Sequence, residues 1–269
     1  MIQPLKSIRK AKRRDLVASK PAERLEAVIL AAGVGSRMGD LTGASHKCLL
    51  HLTPGLPLIR FMLDGLAAAG IRKVHVVLGH SADAVRYWLG SNCNVIINER
   101  YAETNSLYSL RLAQPHIKGS FLLLNADVVA QPEIYRRLRN TPGSVLAYDS
   151  TSGSDPEEMK VRLRDGNLAD ISKSMNPQDA DGESLGVVKF DALDRDVLFS
   201  CAEEVLAQGG ENAWAPAGYG LLAQSHPIQC LDVADLGWTE IDFPEDLAFA
   251  QTTLWPSFSR SASKQKQSA

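Results

Sequence analysis

Short apolar runs alternate along this chain with stretches of helical spacing. Residues 27–32, AVILAA, stop at Gly33, the pattern of a strand buried on both faces. PLIRFMLDGLAAAG (57–70) has helical spacing and a glycine stop, and KVHVVLG (73–79) predicts a second strand. SADAVRYWLG (81–90) reads as a helix between a serine cap and a glycine stop, followed by a strand over 94–98. A helix over 106–114, a strand over 120–129, a proline-started helix over 132–140 and a strand over 144–149 continue the alternation. Strand and helix in this order imply βαβ units, hence an α/β fold with a Rossmann-like, mostly parallel sheet flanked by helices.

After Asp149 the pattern changes. Residues 158–173 read as two strands around the Asp165–Gly166 turn, a small β-hairpin insertion. A strand over 184–190, a helix over 192–210, and a strand, turn and helix over 236–254 follow. The expected organisation is a basic extension over 1–24, a domain over 25–255 with the hairpin part at about 150–235, and a disordered Ser/Lys/Gln-rich tail over 256–269.

Charge sharpens this division. Residues 1–24 carry eight Lys/Arg against two acids and residues 256–269 add Arg260, Lys264 and Lys266 with no acid, so residues 25–255 hold a net charge near −11, although the whole chain is at −2. An acidic body argues against a nucleic-acid surface and suits carboxylates that hold a divalent metal. Cys48, Cys93, Cys201 and Cys230 form no CxxC pair, which argues against a zinc site or a disulfide framework. No secretory leader and no integral membrane segment is expected, and cytoplasm is the default compartment.

The connection after the first strand carries the clearest chemistry. Gly33, Gly35 and Gly39 are spaced G-x-G-x-x-x-G, one residue longer than the dinucleotide fingerprint, and the P-loop pattern is absent. Such glycines let backbone N–H groups approach an anion. Arg37 and Lys47 add a forked and a mobile positive charge at the crevice end of the strand.

On these residues the chain resembles the nucleotidyltransferases that activate sugar phosphates and phospho-alcohols: AVILAAGVGSRM is followed, ten residues after Arg37, by Lys47 in KCLL. The resemblance implies that the loop wraps a nucleoside triphosphate whose phosphates meet Arg37 and Lys47. It also implies that Asp127 in NADVV and Asp242 in TEIDFPEDLAFA hold Mg²⁺. NERYAETNSLYSL (98–110) resembles the narrower cytidylyltransferase branch acting on phosphocholine, phosphoethanolamine or aminoalkylphosphonates. The implied nucleotide contacts are Leu30, Ala31, Ala32, Gly33, Gly35, Ser36, Asn98, Asn105 and Ser106; Asn105 equally suits a helix N-cap.

On the acceptor side, Lys160 and Lys173 suit either a clamp for a phosphate or phosphonate or a solvated face, and Glu183 can offset an amine. Trp214, Tyr219 and Trp238 suit either a cation–π wall or core packing, and His46 suits a structural role. The expected partners are CTP and a small phosphate or phosphonate acceptor, with the hairpin region open to homodimer formation. The alternatives are a sugar-1-phosphate nucleotidyltransferase using UTP, dTTP or GTP, and an inactive nucleotide-binding regulatory module.

Overall fold

A computed structural model describes residues 25–33, 46–91, 93–153 and 155–258. The loop holding Gly35, Ser36, Arg37 and Gly39, the basic extension over 1–24 and residues 259–269 lie outside the described residues.

The strands are β1 (Glu26–Ala31), β2 (His51–Thr53), β3 (Leu56–Pro57), β4 (Val74–Leu78), β5 (Cys93–Ile97), β6 (Phe121–Asn125) and β7 (Val128–Ala130). They continue with β8 (Ser144–Asp149), β9 (Lys160–Arg164), β10 (Asn167–Ser172), β11 (Gly182–Phe190), β12 (Ile228–Asp232) and β13 (Trp238–Glu240). Helices are α1 (Leu58–Ala68), α2 (Ala82–Arg86), α3 (Ser106–Ala113), α4 (Pro132–Asn140), α5 (Ala192–Ala207), α6 (Pro216–Ala223) and α7 (Pro244–Phe249). The main sheet has nine strands in the order β5-β4-β1-β6-β11-β8-β12-β10-β9.

β1 is parallel to β4 and β6, and β4 to β5, as the βαβ pattern requires. The sheet is nevertheless mixed. β11 enters antiparallel between β6 and β8, so it approaches the crevice from the opposite direction. The hairpin is no separate appendage: β10 pairs with β12 and β9 with β11, extending the same sheet.

Side-chain alternation along β1 explains its continuous apolarity. Ala27, Ile29 and Ala31 pack with α1 and α4 on one face, while Val28 and Leu30 pack with α3, α5 and α6 on the other. A third cluster joins α1 to the C-terminal helix, where Phe61 stacks on Phe258. Beyond α7 helical backbone continues to residue 258, where the described residues end.

Three local expectations need correction. The strand expected over 120–129 breaks at Ala126–Asp127, because β7 leaves the main sheet to pair with β13. The helix expected over 81–90 shrinks to Ala82–Arg86; Ser81 has a φ of 53° and makes no side-chain capping bond. The helix expected over 192–210 stops at Ala207, and Gly209, at a φ of 86°, opens a separate single turn. Among the described residues no helix is long and apolar enough to cross a membrane.

Candidate functional site

A cleft of about 380 Å³ opens where β1, β4, β5 and β6 end, the usual ligand crevice of an open α/β sheet. Leu30, Ala31, Ala32 and Gly33 form its floor at the end of β1. β11 contributes Ser184, Gly186 and Val188 from the antiparallel direction. A bulge between Ser184 and Val188 adjusts this strand. At its centre Gly186 has a φ of 69°, and a Cβ there would sit 2.5 Å from Asn125 Nδ2, so the cleft wall requires glycine.

The wall beside α3 is held by side-chain hydrogen bonds, some to other side chains and some to the backbone. Asn98 is buried; its Nδ2 donates to Thr104 Oγ1 and Ser109 Oγ, and its Oδ1 accepts from the Arg100 N–H. Asn105 Oδ1 caps α3 by accepting from Ser106 N–H at 2.8 Å, and Asn105 also lines the cleft, so capping and lining coexist. Ser106 Oγ accepts from Ala215 N–H at 2.8 Å, which fixes the start of α6 against α3.

Opposite lies an acidic cluster. The break after β6 exposes Asp127 at the cleft, and β13 brings Glu240 with Asp242 just beyond it. The Asp127 carbonyl accepts from Ile241 N–H at 2.9 Å, stapling the two segments together. Asp246, in the first turn of α7, accepts from the N–H groups of Asp242 (2.8 Å) and Phe243 (2.7 Å) and so fixes the Asp242 backbone. Ligand atoms of Asp127, Glu240 and Asp242 all lie within 4.8 Å of one another.

Lys47 sits in a single 3-10 turn, Lys47–Leu49, and its ammonium donates to Asp242 Oδ1 at 2.6 Å and Asp127 Oδ2 at 3.1 Å. Burial works against that charge, but Asp127 and Asp242 outweigh it and hold the Lys47 pKa above the usual lysine range. Preceding it, His46 accepts from the Cys48 N–H through Nδ1; burial pushes its pKa down to about 4, so it is neutral at pH 7.

Glu240 is pushed up to about 8, first by burial and then by the charges of Asp127 and Asp242. Asp127 Oδ1 is buried without a hydrogen-bond partner. A hard divalent cation fits both facts, since it would take oxygen ligands from this set and relieve their mutual repulsion. Glu240 was not singled out from the sequence. The signal was there: in TEIDF it stands two residues before Asp242, the spacing that keeps two strand side chains on one face.

The acceptor candidates separate. Lys173 lines the cleft, with its Nζ 5.4 Å from the centroid of the Trp214 ring, and Trp214 and Tyr219 line it too. Lys160 does not. It is fully buried, and its ammonium donates to the carbonyls of Glu158 (3.2 Å), Lys173 (3.2 Å) and Pro156 (3.4 Å). Its role is therefore to hold the hairpin that presents Lys173, and a clamp directly on the acceptor is corrected. Lys160→Met is expected to destabilise the fold by about 1–3 kcal/mol, because three carbonyls lose their donor. Urea denaturation checks this; an unchanged midpoint would contradict it.

Glu183 and Trp238 do not line the cleft either, which corrects both as acceptor contacts. Glu183 points to the face of β11 opposite Ser184, where it accepts from Ser152 Oγ at 2.6 Å. Trp238 Nε1–H donates to Asp149 Oδ2 at 2.8 Å and the ring packs on the core. Burial pushes Glu183 up to about 7 from 4.5; the Ser152 bond opposes this and the Glu158 charge adds to it. The native state then keeps a proton that the unfolded state releases, so this group's contribution falls as pH rises from about 4.5 to about 7 and then levels off. Glu183→Gln should therefore stabilise the protein at pH 8 and give no gain at pH 4. Melting curves at the two values check it, and an equal effect at both would contradict it.

The chain is similar to proteins that handle cytidine nucleotides. It is 31% identical over 245 residues to CMP-5'-(3-aminopropyl)phosphonate synthase of Streptomyces rubellomurinus, covering 85% of this chain and 38% of that protein. It is 38% identical over 112 residues to choline-phosphate cytidylyltransferase of Haemophilus influenzae, covering 41% of this chain and 47% of the relative. These matches span less than half the length of either relative. The fold matches that of CTP:phosphocholine cytidylyltransferase from Streptococcus pneumoniae with a TM-score of 0.72 at 22% identity, over 86% of this chain and all of that one. Residues 27–179, more than half of the sequence, match the MobA-like NTP transferase domain, and the chain belongs to that family.

Proposed function

We propose that the protein is a Mg²⁺-dependent cytidylyltransferase that transfers CMP from CTP to a small phosphate or phosphonate acceptor. The observation that carries this reading is the juxtaposition of Asp127, Glu240 and Asp242 with Lys47 at the mouth of a cleft floored by Leu30–Gly33. The two cytidine-nucleotide relatives support the choice of base and acceptor.

An oxygen of the acceptor's phosphate or phosphonate attacks the α-phosphorus of CTP. The bond from the α-phosphorus to the bridging oxygen breaks, and pyrophosphate carries away that oxygen and its electron pair. A phosphate monoester is already largely dianionic near pH 7, its second pKa being about 6, so no strong general base is needed. The barrier lies in bringing polyanions together, which makes positioning and charge neutralisation the main contributions.

Asp127, Glu240 and Asp242 would hold a divalent ion, which supplies charge neutralisation on the phosphates. Lys47, on leaving those carboxylates, would meet the triphosphate together with Arg37. Asn98, Asn105 and Ser106 shape the wall of the nucleotide side. Lys173 stands on the acceptor side and supplies a cation for its anionic group.

The test is pyrophosphate release by the purified chain with Mg²⁺, each of the four ribonucleoside triphosphates and dTTP in turn, and a panel of phosphonate, phosphocholine and sugar-1-phosphate acceptors. Turnover with CTP and a phosphonate or phospho-alcohol is expected. Preference for UTP, dTTP or GTP with a sugar phosphate would overturn the cytidylyl reading.

A further inference from the structure

Among the described aromatic residues that line the cleft Trp214 is the most exposed, and a lysine already stands on its face. Trp214 is 47% exposed, while Tyr219 is only 2% exposed and belongs to the core that α6 packs against the sheet. Trp238 lies outside the cleft with its N–H on Asp149. The Lys173 ammonium over Trp214 is within the range of a cation–π contact.

Lys173 is held there from two sides. Its carbonyl accepts from the buried Lys160 ammonium at 3.2 Å, and its Nζ lies 3.9 Å from Glu157 at the rim. Among the described residues lining the cleft, Lys47 and Lys173 are the two cationic side chains, and Lys47 lies on Asp127 and Asp242. Lys173 is thus the cation whose ion pair, with Glu157, lies outside the carboxylate cluster, although its charge also acts on Glu240. An acceptor's quaternary ammonium approaching this face would meet a like charge already in place.

We propose that Trp214 is a positioning residue for Lys173: it holds the ammonium that binds the acceptor's phosphoryl or phosphonyl anion, and the site does not select a quaternary ammonium in the acceptor's tail. This rests on the cytidylyltransferase reading for the identity of the acceptor, and its test is therefore binding rather than turnover.

Phosphocholine and its neutral carbon isostere, 3,3-dimethylbutyl phosphate, share the anion and the tail shape and differ in the tail's charge. Calorimetric titration of each into the full chain is expected to give affinities within about threefold. An aromatic face that reads a desolvated cation gives a preference of about tenfold or more. Trp214→Leu and Lys173→Met should each weaken both compounds alike, by about fivefold or more, and the double variant should be little worse than either. Trp214→Phe and Lys173→Arg should restore most of the binding, which a merely structural loss would not allow.

A tenfold preference for phosphocholine that Trp214→Leu removes would overturn the assignment, as would failure of both compounds to bind at millimolar concentration. Pyrophosphate release is scored separately on the same preparations. Its absence alongside the binding pattern above would overturn cytidylyl transfer and leave the Trp214–Lys173 assignment standing.

Discussion

Lys47→Met is expected to cut pyrophosphate release by about a hundredfold or more, and in the same protein to tighten binding of Mn²⁺ measured without nucleotide. The two effects share one cause. Lys47 forms ion pairs with Asp127 and Asp242, and its own side chain is only 10% exposed. In that position it is a tethered cation within the set of carboxylates proposed for the metal. Removing it leaves three carboxyl groups whose ligand atoms lie within 4.8 Å of one another. A divalent ion then gains an unopposed site.

Turnover falls because the triphosphate loses a cation that the fold places at the mouth of the cleft, and one such contact is commonly worth a factor of about 10²–10³. The metal-free variant should also melt at lower temperature than the parent, and Mn²⁺ should raise its melting temperature by more than it raises the parent's. The measurements are steady-state turnover, Mn²⁺ titration followed by electron paramagnetic resonance, and thermal melts with and without the ion. Weaker Mn²⁺ binding in the variant would show that Lys47 supports the metal instead of competing with it.

What the sequence disclosed follows from where each signal is local. The strand before Gly33 and the helices over 106–114 and 132–140 were legible because burial on two faces, capping and proline placement are all written within a few residues. Asp127 and Asp242 were legible through resemblance of their flanking segments. Glu240 and Asp246 were not. The role of Glu240 arises when β13 pairs with β7, joining residues more than a hundred positions apart, whereas that of Asp246 is local, a carboxylate in the first turn of α7 accepting from the N–H groups of Asp242 and Phe243.

The antiparallel entry of β11 was hidden for a similar reason, since a strand's direction in a sheet depends on its partner and leaves no mark on its own alternation. The sequence pattern predicts no element at α6, whose Pro216, Gly218 and Gly220 have low helix propensity. In the fold Gly218 allows α6 to close on α3, where a Cβ would lie 2.9 Å from Leu107 Cδ1. Lys160 and Lys173 look alike on one hairpin. Only the fold turns one inward onto three carbonyls and the other into the cleft.

Asp242→Asn is expected to lower turnover by about three orders of magnitude, and Asp246→Asn by only about one or two. The difference separates a residue proposed to bind the metal from one that places it. Asp242 presents its carboxylate to Lys47 at 2.6 Å and shares the cluster with Asp127 and Glu240. An amide in its place has no net charge to offer a hard cation, and several kcal/mol of charge stabilisation in the transition state are forfeited. Among the described residues Asp246 meets Asp242 through its backbone and not through the clustered carboxylates: its Oδ2 accepts from the N–H groups of Asp242 and Phe243. Asparagine keeps an oxygen that can accept the same bonds, so the Asp242 carboxylate loosens but stays, a change of the size seen for groups that support metal ligands. Raising the metal concentration should recover much of the Asp246→Asn turnover and little of the Asp242→Asn turnover, because only the first retains every carboxylate of the cluster. Full turnover by Asp242→Asn would refute its proposed role in holding the ion, and equal, irrecoverable losses in both variants would show that Asp246 does more than orient its neighbour.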